Sequence, residues 1–182
     1  MKGYKRYFKT YLSGLASLKP SPGGGSVAAL AFCLGTALIE KALVFSCPKN
    51  PATPALKKKN KKITARIKKI RSLSGKPYHY IDEDGDIFEQ IMSFQGAKKK
   101  RYVDKSQNLI ADLGSRCRKI FFITQEVEIG VKKCIISDFI LGLDLVKLAL
   151  KGCVLNLEAN KKMFGVQSRQ LGVFKNTLKK WQ

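Results

Sequence analysis

Two long apolar segments at helical spacing constrain the fold of this chain more than any other feature. One begins at Gly25 and contains VAALAFCLGTALI, and the other begins at Asp138 and contains FILGLDLVKLAL. Almost every other segment also shows helical spacing, and none alternates as a half-buried strand does. We therefore predict an all-α helical bundle built around these two helices, with residues 1–182 forming a single domain. A helix as apolar as the first also predicts a dimer interface that extends the core.

The cysteines and the N-terminal sequence bear on the compartment. Five cysteines are widely spread and have no metal-ligand spacing: Cys33, Cys47, Cys117, Cys134 and Cys153. MKGYKRYFKTYL lacks the uninterrupted apolar core of a signal peptide. The first apolar segment has about 13 uncharged residues before Glu40 and Lys41, whereas a membrane-spanning helix needs about 20. We therefore expect a cytoplasmic protein with reduced cysteines, no bound metal and no membrane partner.

The chain is strongly basic. It has 35 Lys and Arg against 13 Asp and Glu, a formal net charge of +22, which attracts polyanions such as nucleic acid, acidic lipid or a polycarboxylate ligand. The lysine runs at 57–62 and 98–100 are typical of solvated helix faces. They lack the interleaved aromatic residues that stack on bases. Nucleic-acid binding and a purely structural dimeric bundle are therefore the less favoured alternatives to a small-molecule site.

The segment Pro22-Gly23-Gly24-Gly25-Ser26 stands directly before the first apolar helix. Backbone N–H groups at a helix start can bind an anion or the polar edge of a ring, and glycines allow a close approach. The alternative is a flexible hinge with Ser26 as an ordinary N-cap. Because a flexible hinge gains nothing from neighbouring prolines, we favour a turn that faces a ligand.

Acidic residues are scarce, so their grouping is informative. Four of them cluster before or at the start of a predicted short helix: Asp82, Glu83, Asp84 and Asp86. A helix start accounts for one or two acidic residues but not for all four. Asp138 follows Ser137 at the start of the second apolar helix, where a cap is the plainer interpretation.

Three further polar residues are candidates for a site. Asn156 and Asn160 lie four positions apart and therefore share one face of a helix that is otherwise rich in Leu, Val and Ala. Buried amides need partners, so the pair either joins helices or binds a polar ligand. His79 is the single histidine, and we interpret it as an exposed loop residue, with acid–base work as the alternative.

Three segments carry a family resemblance in the same order over nearly the whole chain. They are YLSGLASLKPSPGGGSVAALAFCLGTAL, EDGDIFEQIM and ISDFILGLDLVKLALKGCVLNLEAN. In order and spacing they resemble the cyclodeaminase/cyclohydrolase family, a folate-dependent helical domain also found as the C-terminal half of formiminotransferase-cyclodeaminase. PGGGS alone is moderately specific, and together with the other two segments it is strong.

The resemblance implies an all-helical homodimer that acts on one-carbon tetrahydrofolates, including polyglutamylated forms. Family members hydrolyse methenyltetrahydrofolate or cyclise formiminotetrahydrofolate with loss of ammonia; the folate is the substrate and no metal is implied. By motif, Asp84 and Asp138 are the implied acid–base residues. We expect both to face one cleft beside the glycine turn, within one chain or across a dimer interface. The motifs also imply substrate-binding roles for Gly23, Gly24, Gly25, Ser26, Asn156 and Asn160.

The chain departs from the family pattern directly after Asp138. Phe139 and Ile140 stand where the family usually has a small residue and a glycine. Two large side chains there could narrow or close the pocket. The alternative function is therefore a catalytically degenerate basic helical protein that binds nucleic acid or another polyanion.

Overall fold

Helices account for the regular structure of residues 5–125 and 130–181, the ranges that the computed structural model describes. Seven α-helices occur there: α1 (Lys5–Leu15), α2 (Gly24–Ser46), α3 (Pro54–Ser74), α4 (Pro77–Ser93), α5 (Gly96–Gln125), α6 (Ile136–Phe164) and α7 (Gln170–Lys180). A short 3-10 helix, Lys133–Ile135, precedes α6. Since these ranges contain no strand, the predicted all-α fold is confirmed.

The helices α2 and α6 pack against each other in antiparallel orientation. Gly24 at the start of α2 faces Asn156 late in α6. Lys41 near the end of α2 forms an ion pair with Asp138 in the first turn of α6. The two ends of α2 therefore contact opposite ends of α6.

Between these ends, α2 and α6 come into backbone contact at two glycines. A Cβ on Gly35 would lie 2.6 Å from the Gly142 carbonyl oxygen, and a Cβ on Gly142 would lie 2.8 Å from the Gly35 carbonyl oxygen. Both distances are shorter than a side chain tolerates, so a larger residue at either position would push the helices apart.

The core lies between α2, α6 and the helices around them. Each helix from α2 to α7 contributes at least one large side chain that is almost completely buried: Phe32, Ile70, Ile91, Leu113, Phe139 and Phe174. Burying one side chain of this size stabilises the fold by about 1.5–3 kcal/mol. Because six helices contribute to the same core, the residues at the start of α2 rest on a packed support.

The sequence explains how α3 forms and which face it buries. Thr53 is the N-cap and its Oγ1 accepts the Leu56 N–H at 3.2 Å, while Pro54 occupies the first helical position. Three isoleucines at helical spacing are buried: Ile63, Ile67 and Ile70. The opposite face of α3 is exposed and consists largely of lysine.

The helix α4 begins earlier than the sequence predicts. The acidic cluster predicts a helix start near residue 82, but α4 begins at Pro77 and contains the whole cluster in its interior. Proline has the fixed φ of a first helical residue, and this accounts for the earlier start. As a result, Asp84 projects from the side of α4 toward α2 instead of capping its own helix.

Among the described residues, α2 alone is long and apolar enough to span a membrane. It has 23 residues, and an 18-residue window within it has a mean hydropathy of 1.9. Half of that window is buried against the rest of the protein, and core helices of soluble proteins have the same length and composition. The expected absence of a membrane partner stays a prediction.

Candidate active site

The start of α2 lies between α4 and α6, and a carboxylate from α4 caps it. Gly23 is the N-cap residue and has no side chain to accept a hydrogen bond. Instead, the Ser26 N–H donates to Asp84 Oδ2 at 3.1 Å. Ser26 therefore lies in the first turn and is not the N-cap that the hinge alternative requires. A carboxylate at this position is also favoured by the helix dipole.

Two neighbouring glycines of α2 face different helices. A Cβ on Gly25 would overlap the Asp84 carboxyl group. A Cβ on Gly24 would lie 3.5 Å from the side-chain nitrogen and oxygen of Asn156, which is an ordinary contact. Gly25 is therefore required for the position of Asp84, whereas Gly24 leaves the space beside Asn156 open.

The Ser26 side chain is fully buried and its hydrogen bonds are satisfied within the chain. Its hydroxyl donates to the Ile81 carbonyl oxygen at 2.6 Å. Because this uses its single proton, the Tyr11 hydroxyl donates to Ser26 Oγ at 2.9 Å. Ser26 thus joins α1, α2 and α4 and supports the contact with Asp84. The sequence does not single out Tyr11, whose helical spacing is that of a core residue.

Asp84 has the electrostatics of an acid–base residue. Burial raises the pKa of its carboxyl group, and the hydrogen bond from the Ser26 N–H lowers it by less, so the net shift is upward. Among the described residues, the other carboxyl oxygen, Oδ1, has no hydrogen-bond partner. A half-buried carboxyl group with a raised pKa and a free oxygen can accept or donate a proton closer to neutral pH than an ordinary aspartate.

An apolar groove runs between the start of α2 and the second half of α6. This α2–α6 groove has a volume of about 570 Å³, and its lining includes Gly24, Val27, Ala31, Leu148, Leu155 and Asn156. Among the described residues that line it, Lys151 is the one that carries a charge. Its size and apolar walls suit a flat ring system, with a cation and an amide available at its polar positions.

Asn156 and Asn160 share a face of α6 but have different surroundings. Asn156 lines the groove; its Nδ2 donates to the Gly152 carbonyl oxygen at 2.9 Å, and its Oδ1 has no partner among the described residues. Asn160 Nδ2 donates to Ser106 Oγ at 3.3 Å and thereby joins α6 to α5. Asn160 is not part of the groove lining.

Asp138 lies far from Asp84 within one chain. Its Oδ2 accepts from Lys41 Nζ at 2.6 Å near the end of α2, whereas Asp84 contacts Ser26 near the start. Fifteen residues separate Ser26 from Lys41, which corresponds to about 22 Å along a helix. A single cleft containing both carboxylates is therefore not formed within one chain.

Phe139 and Ile140 do not narrow the α2–α6 groove. Phe139 is completely buried in the core. Ile140 is half exposed and lines a separate depression with Asp144 and Trp181. Within one chain, neither side chain closes this groove, because both lie at the opposite end of α6 from it.

A second polar cluster joins α3, α4 and α5. Arg116 donates to Asp112 Oδ2 at 2.6 Å and to the Leu73 carbonyl oxygen at 2.9 Å, and the Tyr80 hydroxyl donates to the same Asp112 oxygen at 2.6 Å. Burial alone raises the pKa of Asp112, but the hydrogen bonds from Arg116 and Tyr80 outweigh it and the net pKa is lowered. Since these hydrogen bonds join α3, α4 and α5, we interpret this cluster as a structural contact between helices.

The other described side chains that could bind a metal ion or transfer a proton do not form a cluster. Within residues 5–125 and 130–181, no set of three or more His, Cys, Asp or Glu side chains is arranged to hold a metal ion. His79 is exposed, as expected, but it lies in α4 and not in a loop; its ring makes an edge contact with Tyr78.

The fold and the geometry around α2 define a class of protein. It is an all-α bundle in which a half-buried carboxyl group and an apolar groove flank one glycine-rich helix start. The model of a known protein family matches residues 7–170 of the chain. The chain therefore belongs to that family, the formiminotransferase-cyclodeaminase family. The family predicted from the sequence motifs is thereby confirmed.

A solved structure has a similar fold. It is the crystal structure of formiminotetrahydrofolate cyclodeaminase from Thermotoga maritima, with a TM-score of 0.76 and 16% sequence identity. The match covers 94% of this chain and 89% of that chain. No curated protein sequence matches the chain.

Proposed function

We propose that the chain is an enzyme of one-carbon folate chemistry that hydrolyses methenyltetrahydrofolate or cyclises formiminotetrahydrofolate with release of ammonia. Membership of the formiminotransferase-cyclodeaminase family supports a folate-processing activity. The observation that carries the proposal is the Asp84 carboxyl group. Its Oδ2 is fixed by the Ser26 N–H, and its Oδ1 has no partner among the described residues.

One carboxyl group can serve either reaction. Both pass through a tetrahedral carbon bonded to two folate nitrogens. In the hydrolysis, water attacks the methenyl carbon and a carboxylate accepts a proton from it. In the cyclisation, a folate nitrogen attacks the formimino carbon and a carboxylic acid donates a proton to the departing ammonia. The raised pKa makes proton exchange by Asp84 easier near neutral pH than it is for an ordinary aspartate, and the carboxylate also stabilises the cationic methenyl group.

The α2–α6 groove is the proposed place of the folate ring, and Asp84, which does not line the groove, lies next to it against Gly25. Gly24 and Asn156 lie at one end of it and offer backbone and amide polar atoms to the ring edge. Gly23 and Gly25 shape the same turn, while Ser26 positions Asp84 and does not contact the ring. Asn160 supports the groove indirectly, because it joins α6 to α5.

We further propose that the enzyme is a homodimer formed through the outer face of α2 and α6. This face exposes large apolar side chains at seven-residue spacing on both helices: Val27 and Leu34, and Leu141, Leu148 and Leu155. A second copy would cover them and close the groove from outside. In such a dimer Asp138 could reach the site only from the other copy, because within one chain it lies too far from Asp84.

Other parts of the proposal depend on composition and burial. The five cysteines are free, which supports a reducing compartment such as the cytoplasm. The net charge of +22 suits polyglutamylated folates, which are polyanions. The catalytically degenerate alternative is less favoured, because it rested on Phe139 and Ile140 and neither side chain lines the α2–α6 groove.

The test is a paired assay with purified protein. Loss of methenyltetrahydrofolate absorbance above the uncatalysed rate would identify the hydrolase. Formation of the same absorbance from formiminotetrahydrofolate, with stoichiometric ammonia, would identify the cyclodeaminase. If neither substrate is turned over and neither binds, the enzyme proposal is wrong and Asp84 is a helix cap only.

A further inference from the structure

We propose that the exposed face of α3 is a second binding site, which contacts the phosphate backbone of double-stranded nucleic acid independently of base sequence. The site would act in addition to the folate reaction and uses none of its residues. It consists of six lysines, called here the α3 lysine face: Lys57, Lys58, Lys61, Lys62, Lys68 and Lys69.

The positive charge of the chain is concentrated around this helix. Residues 41–81 contain twelve Lys and Arg and no Asp or Glu, so this stretch accounts for more than half of the net charge of +22. The α3 lysine face is therefore a local feature of one element, and not only a result of an overall basic composition. Such a concentration raises the local potential and attracts polyanions.

The α3 lysine face has the geometry of a strip. All six side chains are exposed and lie on the half of α3 opposite the buried isoleucines. Lys57, Lys61 and Lys68 form one row along the helix, and Lys58, Lys62 and Lys69 form the other. Twelve residues of helix correspond to about 18 Å, and about 18 Å of duplex carries roughly 10 phosphate charges. The strip is thus long enough for all six lysines to lie beside phosphates.

The six lysines are not neutralised by the part of the chain that the structure describes. None of them forms an ion pair with a described residue, whereas Arg71 in the same helix is paired with Glu40. Lysines at i and i+4 repel each other and destabilise a helix. An anion bound from outside the chain would remove the repulsion between these lysines, which accounts for their presence in a helix that they would otherwise destabilise.

The surroundings of the lysines favour a duplex over other polyanions. None of the large exposed apolar residues of the described chain lies in α3, so the helix has no side chains to insert into a membrane surface. Exposed aromatic residues, on which single-stranded bases would stack, are likewise missing from the described face of α3. With membrane insertion and base stacking disfavoured, the lysines can still contact phosphates, and the regular backbone of a duplex suits such contacts.

The α3 lysine face is also separate from the proposed folate site. Asn60 Nδ2, between the lysines, donates to the Pro48 carbonyl oxygen at 2.8 Å, just beyond the end of α2. The folate site lies at the start of α2, about 30 Å away along a helix of this length. Changes to the lysines should therefore leave folate turnover unaffected, and the two proposals can fail independently.

The experiment measures binding of the full chain to fluorescently labelled duplexes of about 20 base pairs, one DNA and one RNA, by anisotropy between about 50 and 200 mM salt. Six phosphate contacts predict a slope of about −5 for log K against log salt. A triple variant, Lys58→Gln, Lys62→Gln and Lys69→Gln, should reduce the slope by about 3 and the affinity at 100 mM salt by at least about tenfold.

The matched control removes the same charge elsewhere. Lys161→Gln, Lys162→Gln and Lys179→Gln change exposed lysines of α6 and α7 and should leave the slope nearly unchanged. The proposal is overturned if the wild-type chain does not bind either duplex at the lowest salt, or if both triple variants lose affinity equally. Tighter binding to phosphatidylserine vesicles than to either duplex would also contradict it.

Discussion

Ser26 and Asp84 are 58 positions apart in the chain and are joined by a hydrogen bond of 3.1 Å from the backbone N–H to Oδ2. The bond gives Asp84 two roles that experiments can separate. As an acceptor it caps α2, and an amide oxygen could do the same. As an acid it must also exchange a proton, and an amide cannot.

Asp84→Asn should therefore abolish catalysis without unfolding the protein. The amide oxygen can still accept the Ser26 N–H, so the cap is retained, but proton transfer is lost and the rate should fall by about 100-fold to 10,000-fold. Turnover of both folate substrates and urea unfolding measure the two effects. Asp86→Asn is the matched control, because Asp86 is exposed on the same helix. Full activity in Asp84→Asn would leave Asp84 as a cap alone.

The raised pKa of Asp84 predicts a pH-dependent difference in stability. Burial raises the folded-state pKa above the unfolded value, so the contribution of this group is fully present below the unfolded pKa and is lost as pH rises through the folded pKa. The free energy of unfolding of wild type relative to Asp84→Asn should thus increase as pH falls from about 7 toward about 4. Denaturant titrations across this range test it, and a constant difference would disprove the shift.

Gly25→Ala should displace Asp84, since the new Cβ would overlap its carboxyl group. We expect a loss of about 1–3 kcal/mol in the free energy of unfolding and a fall in activity comparable to that of Asp84→Asn. Gly24→Ala is the control: its Cβ would make an ordinary contact of 3.5 Å with Asn156. Thermal unfolding compares the two variants, and an equal loss of stability would contradict the special role of Gly25.

Gly24→Val should block the α2–α6 groove while leaving the fold intact. The extra methyl groups would occupy the space next to Asn156, where we place the folate ring. Circular dichroism should show unchanged helicity, and calorimetry should show no folate binding. Normal binding by this variant would remove the groove from the proposal.

Asp138→Asn should change stability by less than about 1 kcal/mol, because its ion pair with Lys41 is largely exposed. A loss of activity of about 100-fold or more would then report proton transfer in the dimer. Lys41→Met removes the same ion pair from its other side and controls for structural effects. If both variants keep full activity, Asp138 is a residue of the helix start and not a catalytic one.

Leu141→Lys should dissociate the proposed dimer without entering the groove. Leu141 is 54% exposed on the outer face of α6 and is not part of the groove lining. Sedimentation should show a folded monomer, with activity lost if the second copy completes the site. Met92→Lys, at a position that is 63% exposed elsewhere, should leave the association state unchanged.

The all-α fold and the family could be predicted from the sequence because both depend on local patterns. Apolar spacing specifies helices one segment at a time, and the three motifs are contiguous. The start of α4 could not be predicted from the acidic cluster, since Pro77 sets it.

The candidate site depends on packing between segments, and there the sequence was less informative. Asn156 and Asn160 have the same spacing and residue type, yet one lines the groove and the other contacts Ser106. The sequence pattern of Tyr11 is that of a core residue, and only the folded structure shows its hydrogen bond with Ser26. An apolar residue such as Phe139 has the same pattern whether it faces the core or a cleft.

The backbone contact between Gly35 and Gly142 fixes the point at which α2 and α6 cross, so a change in their crossing angle moves both ends of each helix. From Gly35 to Gly24 there are eleven residues, about 16 Å of helix. A tilt of about 10° at the crossing would therefore move Gly24 by about 3 Å relative to Asn156, more than a hydrogen bond tolerates. A single methyl group added at the middle of the bundle can thus alter substrate geometry at one end and the Lys41 ion pair at the other, although it touches neither.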